Sequence, residues 1–139
     1  MSSGDIFRFL APHNLTYQRA LEEIKHSKKD SHWMWYIFPQ LKGLGKTEIS
    51  DYYALKSIND AAEYLRHLVL GRHIIEISTV VLSLQNTTAN EIFGFPDDLK
   101  LWSCMTLFAN VKDTDPVFKG VLDKYFCGKY DNLTMELLA

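Results

Sequence analysis

Cysteine is scarce in this sequence, and its spacing excludes the common cysteine-based sites. The 139 residues contain 2 cysteines, Cys104 and Cys127, which form no CxxC pair of the zinc or thiol-redox type. Both lie in apolar stretches, so we expect two buried thiols in a reducing compartment. The histidines show no HExxH or comparable ligand spacing. We therefore predict no metal site and no other cofactor.

An excess of one charge and a long apolar run are also missing. The 15 basic and 17 acidic residues give a net charge of -2, whereas domains that bind nucleic-acid phosphates normally carry a basic excess. The one basic cluster, Lys25, His26, Lys28 and Lys29, is predicted to be a solvated helix end. No stretch reaches the roughly 18 apolar residues of a membrane span, and the N-terminus does not resemble a secretory signal. We expect a cytoplasmic protein that binds neither nucleic acid nor membranes.

Length and hydrophobic periodicity predict a small helical protein. A chain of 139 residues is sufficient for one domain, 1–139, with its own core. Apolar residues recur at helical spacing in several segments, and no two strands joined by a hairpin turn are visible. The β-branched segment 71–84 is ambiguous, but its length favours a helix. We predict an all-α, compact single-domain bundle of about six to eight short helices.

Helix boundaries are indicated by capping residues. Asn14 is expected to cap the first long helix, and Ser57 a second one, because Asp60 follows it at capping-box spacing. Thr88 and Glu91 form the stricter capping-box pattern, and Gly94 is the expected stop of that helix.

The stretch "PQLKGLGKTEIS" at 39–50 resembles a phosphate-binding loop only superficially. A Walker A loop requires a glycine five residues before the Gly-Lys-Thr of 45–47, and that position holds Gln40. We therefore predict a turn through Gly43 and Gly45 into a helix capped by Thr47, and Lys46 is expected to be dispensable.

An aromatic stretch, "SHWMWYIFPQ" at 31–40, is the most unusual segment. Aromatic side chains bury large areas, so a core role is one interpretation. The other is one wall of a pocket, beside His32 and Gln40, that stacks a planar ligand. The rings concerned are Trp33, Trp35, Tyr36 and Phe38.

Carboxylates cluster around the start of a second segment, "EIFGFPDDLKLWSCMT" at 91–106. Asp97 and Asp98 follow Pro96 where a helix is expected to begin, so one interpretation is that they cap it. The other is acid–base chemistry, which needs carboxylates whose environments separate their pKa values. Ionisable and hydroxyl groups are concentrated here: Glu91, Asp97, Asp98, Lys100, Ser103 and Thr106.

Four segments together resemble a known family. "SHWMWYIFPQLKGLG", "YLRHLVLG", "EIFGFPDDLKLWSCMTLFA" and "FKGVLDKYFCGKYDNLTMELL" are similar, in the same order from about 6 to 138, to small, uncharacterised, mostly bacterial domains. Some members of that family carry the label "calpastatin". The resemblance implies a single-domain all-helical fold and no established activity. Trp102 stands where the family usually has Arg, and Leu68 where it usually has Pro. A fainter likeness points to a family linked to NAD and ADP-ribose metabolism.

Two functional hypotheses follow. The first is a cleft that binds or acts on a small nucleotide-like or sugar-phosphate ligand, with catalytic carboxylates at Asp97, Asp98 and Glu91. Its ligand-binding residues would be His32, Trp35, Gln40, Lys100, Ser103 and Thr106. The alternative is a non-enzymatic protein-interaction module that uses the aromatic stretch 33–38, with a protein partner that the sequence does not identify.

Overall fold

The computed structural model describes residues 6–139, which form an all-α fold. A 3-10 turn, Phe7–Phe9, leads into the first helix. The nine α-helices of the described chain are α1 Leu10–Lys25, α2 Met34–Ile37, α3 Glu48–Tyr52, α4 Ile58–Arg66, α5 Leu70–Ser83, α6 Ala89–Phe93, α7 Asp97–Ala109, α8 Val117–Tyr125 and α9 Asn132–Leu138. Residues 6–139 contain no β-strand. The predicted all-α bundle is confirmed, and three of its helices have only four or five residues.

The core lies where α5 packs on α1 and α8, and where α7 packs on α8 and α4. Tyr64, Phe108 and Phe118 meet there with ring centroids about 5.5 Å apart, and all three are fully buried. The ambiguous segment around 71–84 is helical because Ile74, Ile77 and other apolar residues at helical spacing face this core.

Most helix-boundary predictions are confirmed. Ser57 accepts a hydrogen bond from the Asp60 N–H, and Thr88 with Glu91 forms a full capping box. Gly94 ends α6 with a φ of 74°, a conformation that glycine adopts without strain. The prediction for Asn14 is wrong: the chain enters α1 through the Phe7–Phe9 turn, so Asn14 lies inside the helix.

The glycine loop is the predicted turn into a capped helix. Thr47 Oγ1 accepts the N–H of Ser50 at 3.1 Å at the start of α3. A β-carbon on Gly45 would lie 2.3 Å from the Cβ of Ser50, so this close approach requires glycine. Leu55 and Leu41 form an isolated parallel bridge, which fixes the loop against the segment after α3.

Several exposure predictions are tested directly. Trp33 and Phe38 are fully buried, whereas Trp35 and Tyr36 are partly exposed. Cys104 is buried as expected, but Cys127 is exposed because it lies in the turn after α8 with a φ of 57°. In the described part of the chain, no helix is both long and apolar enough to span a membrane.

Candidate functional site

A cleft of about 350 Å³ lies between the 40–45 loop, the first turns of α7 and the start of α9. A smaller hollow beside it shares Gln40, Gly45 and Lys100 and extends to Trp35. Apolar groups form most of the wall: Leu44, Pro96, Leu99, Trp102 and Leu133. Its polar side chains are Gln40, Lys100, Ser103 and Asp131. A largely apolar cleft with a few convergent polar groups is typical of small-ligand sites.

Asp131 is the carboxylate of this cleft, and only 8% of the residue is exposed. Its Oδ2 accepts hydrogen bonds from Ser103 Oγ at 2.8 Å and Thr134 Oγ1 at 2.6 Å. Its backbone N–H donates to Thr106 Oγ1 at 2.9 Å. These contacts hold the carboxylate in one orientation.

The second carboxylate oxygen, Oδ1, accepts no hydrogen bond from residues 6–139. Ser78 Oγ is the one fully enclosed side-chain polar atom without a partner in that part of the chain. Asp131 Oδ1 is therefore not sealed in the protein, and the cleft is the space that Asp131 lines. The oxygen is available to a hydrogen-bond donor that enters the cleft.

Lys100 supplies positive charge at the same cleft. Its Nζ lies 3.5 Å from Asp97 Oδ1 and 5.5 Å from the centre of the Trp35 ring. Asp97 has a closer cationic partner in Lys29, whose Nζ lies 2.8 Å from Oδ2. The Lys29 side chain is only 8% exposed and packs over the Trp33 ring. Lys29 is therefore not part of a solvated helix end, because it pairs with Asp97 across the fold.

Glu23 organises the loop that carries Lys29. It accepts the N–H groups of Asp30 and Ser31, the Ser31 hydroxyl and the Trp33 indole N–H, over distances of 2.6–3.0 Å. Burial alone would raise the pKa of Glu23, but these hydrogen bonds outweigh it and lower the pKa. Trp33 is thus an anchored core residue.

Trp102 forms part of the cleft wall. Its indole N–H donates to the carbonyl of Lys129 at 2.8 Å, and its ring stacks on Phe126 with an angle of 11° between the planes. Held by both contacts, Trp102 presents an aromatic surface to the cleft.

The sequence-predicted ligand residues fall into two groups. The cleft and its adjoining hollow bring together Trp35, Gln40, Lys100 and Ser103. Thr106 lies behind the cleft, fully buried, where it supports the backbone of Asp131. His32 is exposed and lines neither cavity; its carbonyl accepts the Tyr36 hydroxyl at 3.2 Å.

The three predicted catalytic carboxylates lie outside the cleft wall. Glu91 is exposed and closes the capping box of α6. Asp98 Oδ1 accepts the N–H of Leu99 at 2.9 Å, and its Oδ2 accepts the side-chain amide of Asn90 at 3.2 Å. Asp97 is held by its two lysines. The N-cap position of α7 is Pro96, which makes no side-chain cap hydrogen bond, so of the two aspartates only Asp98 binds a first-turn N–H.

Sequence reasoning missed Asp131 and a histidine pair. The sequence feature that could have indicated Asp131 is its spacing: it precedes Thr134 by three residues, at the position where α9 begins. The pair, His13 and His73, comes from helices 60 positions apart, with 2.8 Å between Nε2 of the first and Nδ1 of the second. No group of three or more metal-ligating side chains is assembled within residues 6–139.

The geometry can be set against known proteins. The family described as "Protein of unknown function (DUF1810)" matches residues 3–138. The chain belongs to this family. The predicted resemblance to a family of uncharacterised domains is thereby confirmed.

A solved structure is similar over nearly the whole chain. It is the crystal structure of the conserved hypothetical protein Rv1873 from Mycobacterium tuberculosis, which is 41% identical. The match covers 96% of each chain with a TM-score of 0.94. No curated protein shows significant similarity to the chain. The solved structure therefore supports the fold, and the family description names no activity.

Proposed function

We propose that the chain binds a small ligand that joins a hydroxyl-bearing ring to an anionic group, such as a nucleotide or a sugar phosphate. One observation carries the proposal: the nearly buried carboxylate of Asp131 keeps Oδ1 without a protein donor in the cleft that Lys100 also lines. Because Oδ1 is charged, has no protein donor and is reached from the cleft, a ligand O–H or N–H group there would form a charge-assisted hydrogen bond.

Charge and shape limit the ligand class. Asp131 Oδ1 is an acceptor and selects O–H or N–H donors, as the hydroxyls of a ribose would supply. Lys100 is a cation at the same cleft and favours a phosphate or carboxylate. The apolar walls at Leu44, Leu99 and Trp102 suit a flat ring between them. The 350 Å³ volume lies within the range of about 300–1,000 Å³ for small-ligand sites.

Binding has more support than catalysis. Glu91, Asp97 and Asp98, the sequence-predicted catalytic groups, each have a structural partner outside the cleft. The one cleft carboxylate, Asp131, accepts two hydroxyl hydrogen bonds through Oδ2, so its observed contacts are those of a hydrogen-bond acceptor.

The interaction-module alternative has less support. Of the four rings in the stretch 33–38, Trp33 and Phe38 are fully buried and unavailable to a partner. Trp35 and Tyr36 are only partly exposed, which leaves no contiguous aromatic patch within that stretch.

A thermal-shift screen followed by calorimetric titration tests the proposal. The panel is adenosine monophosphate, ADP-ribose, NAD and ribose 5-phosphate, each of which joins hydroxyls to an anionic group. At least one should bind, and Asp131→Asn and Lys100→Ala should each weaken Kd about tenfold, a loss of about 1.4 kcal/mol.

Lys46→Ala is the matched control, because Lys46 is exposed and lines neither cavity. Its Kd should equal that of the unmodified protein. A panel without a binder, or a binder whose Kd is unaffected by Asp131→Asn, would remove the basis of the proposal.

A further inference from the structure

A second polar site lies between α1 and α5, separate from the cleft. His13 Nε2 and His73 Nδ1 are 2.8 Å apart, and the two ring planes differ by 8°. His13 is 1% exposed, whereas His73 is partly exposed. With Arg72, Ile75 and Glu76, His73 lines an open hollow of about 380 Å³. A buried histidine thus contacts one that reaches solvent.

The contacts fix where the protons of this pair lie. His13 Nδ1 is 3.3 Å from the carbonyl oxygen of Tyr36, which can only accept, so Nδ1 carries a proton. Burial lowers the pKa of His13 to about 4, so the ring is neutral and Nε2 is an acceptor. His73 Nδ1–H must therefore donate to His13 Nε2.

These contacts also determine the protonation of the other ring nitrogen of His73, Nε2. In a neutral ring whose Nδ1 is protonated, Nε2 keeps its lone pair. His73 Nε2 has no hydrogen-bond partner among residues 6–139. A basic nitrogen with no partner, on a side chain that lines a hollow, can react with a ligand.

Tyr17 holds the His73 ring in place. Its ring stacks on His73 with centroids 3.8 Å apart and an angle of 2° between planes. The Tyr17 hydroxyl lies 2.5 Å from Glu76 Oε1 and 3.1 Å from the His73 carbonyl oxygen. Stacking and hydrogen bonding together leave His73 little rotational freedom, which is the preorganisation that a reactive side chain requires.

We propose that His73 Nε2 is the nucleophile of an acyl-transfer site that takes activated esters whose leaving group departs as an anion. Nε2 attacks the ester carbonyl carbon, and the bond to the leaving oxygen breaks with its electron pair. The guanidinium of Arg72, beside the hollow, favours the departing anion. His13 is a positioning residue in this reaction.

The second half of the reaction restores the site. The acylated His73 ring is an N-acylimidazolium cation whose Nδ1–H stays hydrogen-bonded to His13 Nε2. Water then adds its hydroxyl to the acyl carbon, the carbon–nitrogen bond breaks, and the carboxylic acid leaves. The electron pair of that bond returns to Nε2, the remaining water proton goes to solvent, and His73 is again a neutral ring with its proton on Nδ1.

Hydrolysis of p-nitrophenyl acetate tests this site on the full chain. His73→Gln should lose more than half of the protein-dependent release of p-nitrophenolate. His26→Gln is the matched control: His26 is an exposed histidine near the end of α1, and its loss should leave the rate unchanged. Equal rates in His73→Gln and the unmodified protein would overturn the proposal.

The pH profile distinguishes this role from a structural one. Burial lowers the pKa of His73; Glu76 raises it and Arg72 lowers it again, with a net decrease below 6.5. His13, with Tyr17, faces the ring from α1. The rate of p-nitrophenolate release should therefore rise with increasing pH, as the His73 ring becomes neutral, with a midpoint below pH 6.5. A midpoint at or above pH 6.5 would contradict the proposal.

Two further measurements apply if His73→Gln fails to fold. Long-range proton–nitrogen NMR of the unmodified protein should show Nδ1–H and a bare Nε2 for His73 at pH 7; the opposite tautomer would refute the proposal. His13→Gln, which keeps an acceptor, should retain the rate that His13→Leu loses. Equal rates in these two variants would remove the positioning role.

Discussion

Ser103 Oγ donates a 2.8 Å hydrogen bond to Oδ2 of Asp131, which comes from a segment 28 positions later. This contact joins the face of α7 to the start of α9 and fixes the carboxylate in the cleft wall. Because Thr134 donates to the same oxygen, Oδ1 is the atom left for a ligand.

Ser103→Ala should lower the free energy of unfolding by about 1 kcal/mol, the typical net value of one hydrogen bond. Urea denaturation measures this change. The ligand affinity should fall as well, because the carboxylate is then held by Thr134 alone. A variant with unchanged stability and affinity would show that the Ser103 contact does not organise the cleft.

Asp97→Asn should destabilise the fold, by about 1–3 kcal/mol, because it leaves the nearly buried Lys29 without a charged partner. Asp98→Asn is the matched comparison: asparagine can still accept the N–H of Leu99, so little change is expected. Melting temperatures of the two variants measure the difference. Equal melting temperatures would contradict a structural role for the Lys29–Asp97 pair.

His13 should make stability depend on pH in the acidic range. Its folded-state pKa of about 4 lies below the ordinary 6.5, so the unfolded chain binds the proton first as the pH falls. The neutral-state stability is fully present above pH 6.5 and is lost between 6.5 and about 4. The difference between the folded and unfolded pKa corresponds to a change on the order of 3 kcal/mol in the free energy of unfolding.

His13→Gln should remove that contribution, because glutamine does not titrate. Urea denaturation series at pH 7 and pH 4.5 measure it as the difference between the two proteins. If both proteins lost the same stability over this interval, another group would be responsible.

The helical fold follows from local features that a sequence displays. Thr88, Glu91 and Gly94 specify the start and end of α6 within seven residues, and the periodicity of Ile74 and Ile77 specifies the buried face of α5. Such signals act between near neighbours, so they can be identified without coordinates. The prediction that Asn14 caps α1 was wrong because tertiary packing extends α1 toward the N-terminus and outweighs the capping propensity of Asn14.

The sites depend on contacts between distant segments, which residue types alone do not indicate. Lys29 looked like part of a solvated cluster, and only the position of Asp97 on α7 explains its burial. Likewise, nothing near His13 indicates that His73 lies against it, since α1 and α5 meet through tertiary packing. Gln40, Lys100 and Ser103 of the cleft and Trp35 of the adjoining hollow were identifiable because two conspicuous segments carry them.

Asp131 and Lys100 are proposed to receive one ligand in the cleft. NMR titration of the nitrogen-15-labelled chain with adenosine monophosphate, ADP-ribose and ribose 5-phosphate tests this binding directly. We expect saturable shifts in Gln40, Gly45, Lys100, Ser103 and Asp131, and their loss in Asp131→Asn. Shifts confined to other surfaces, or none with any of the three compounds, would contradict it.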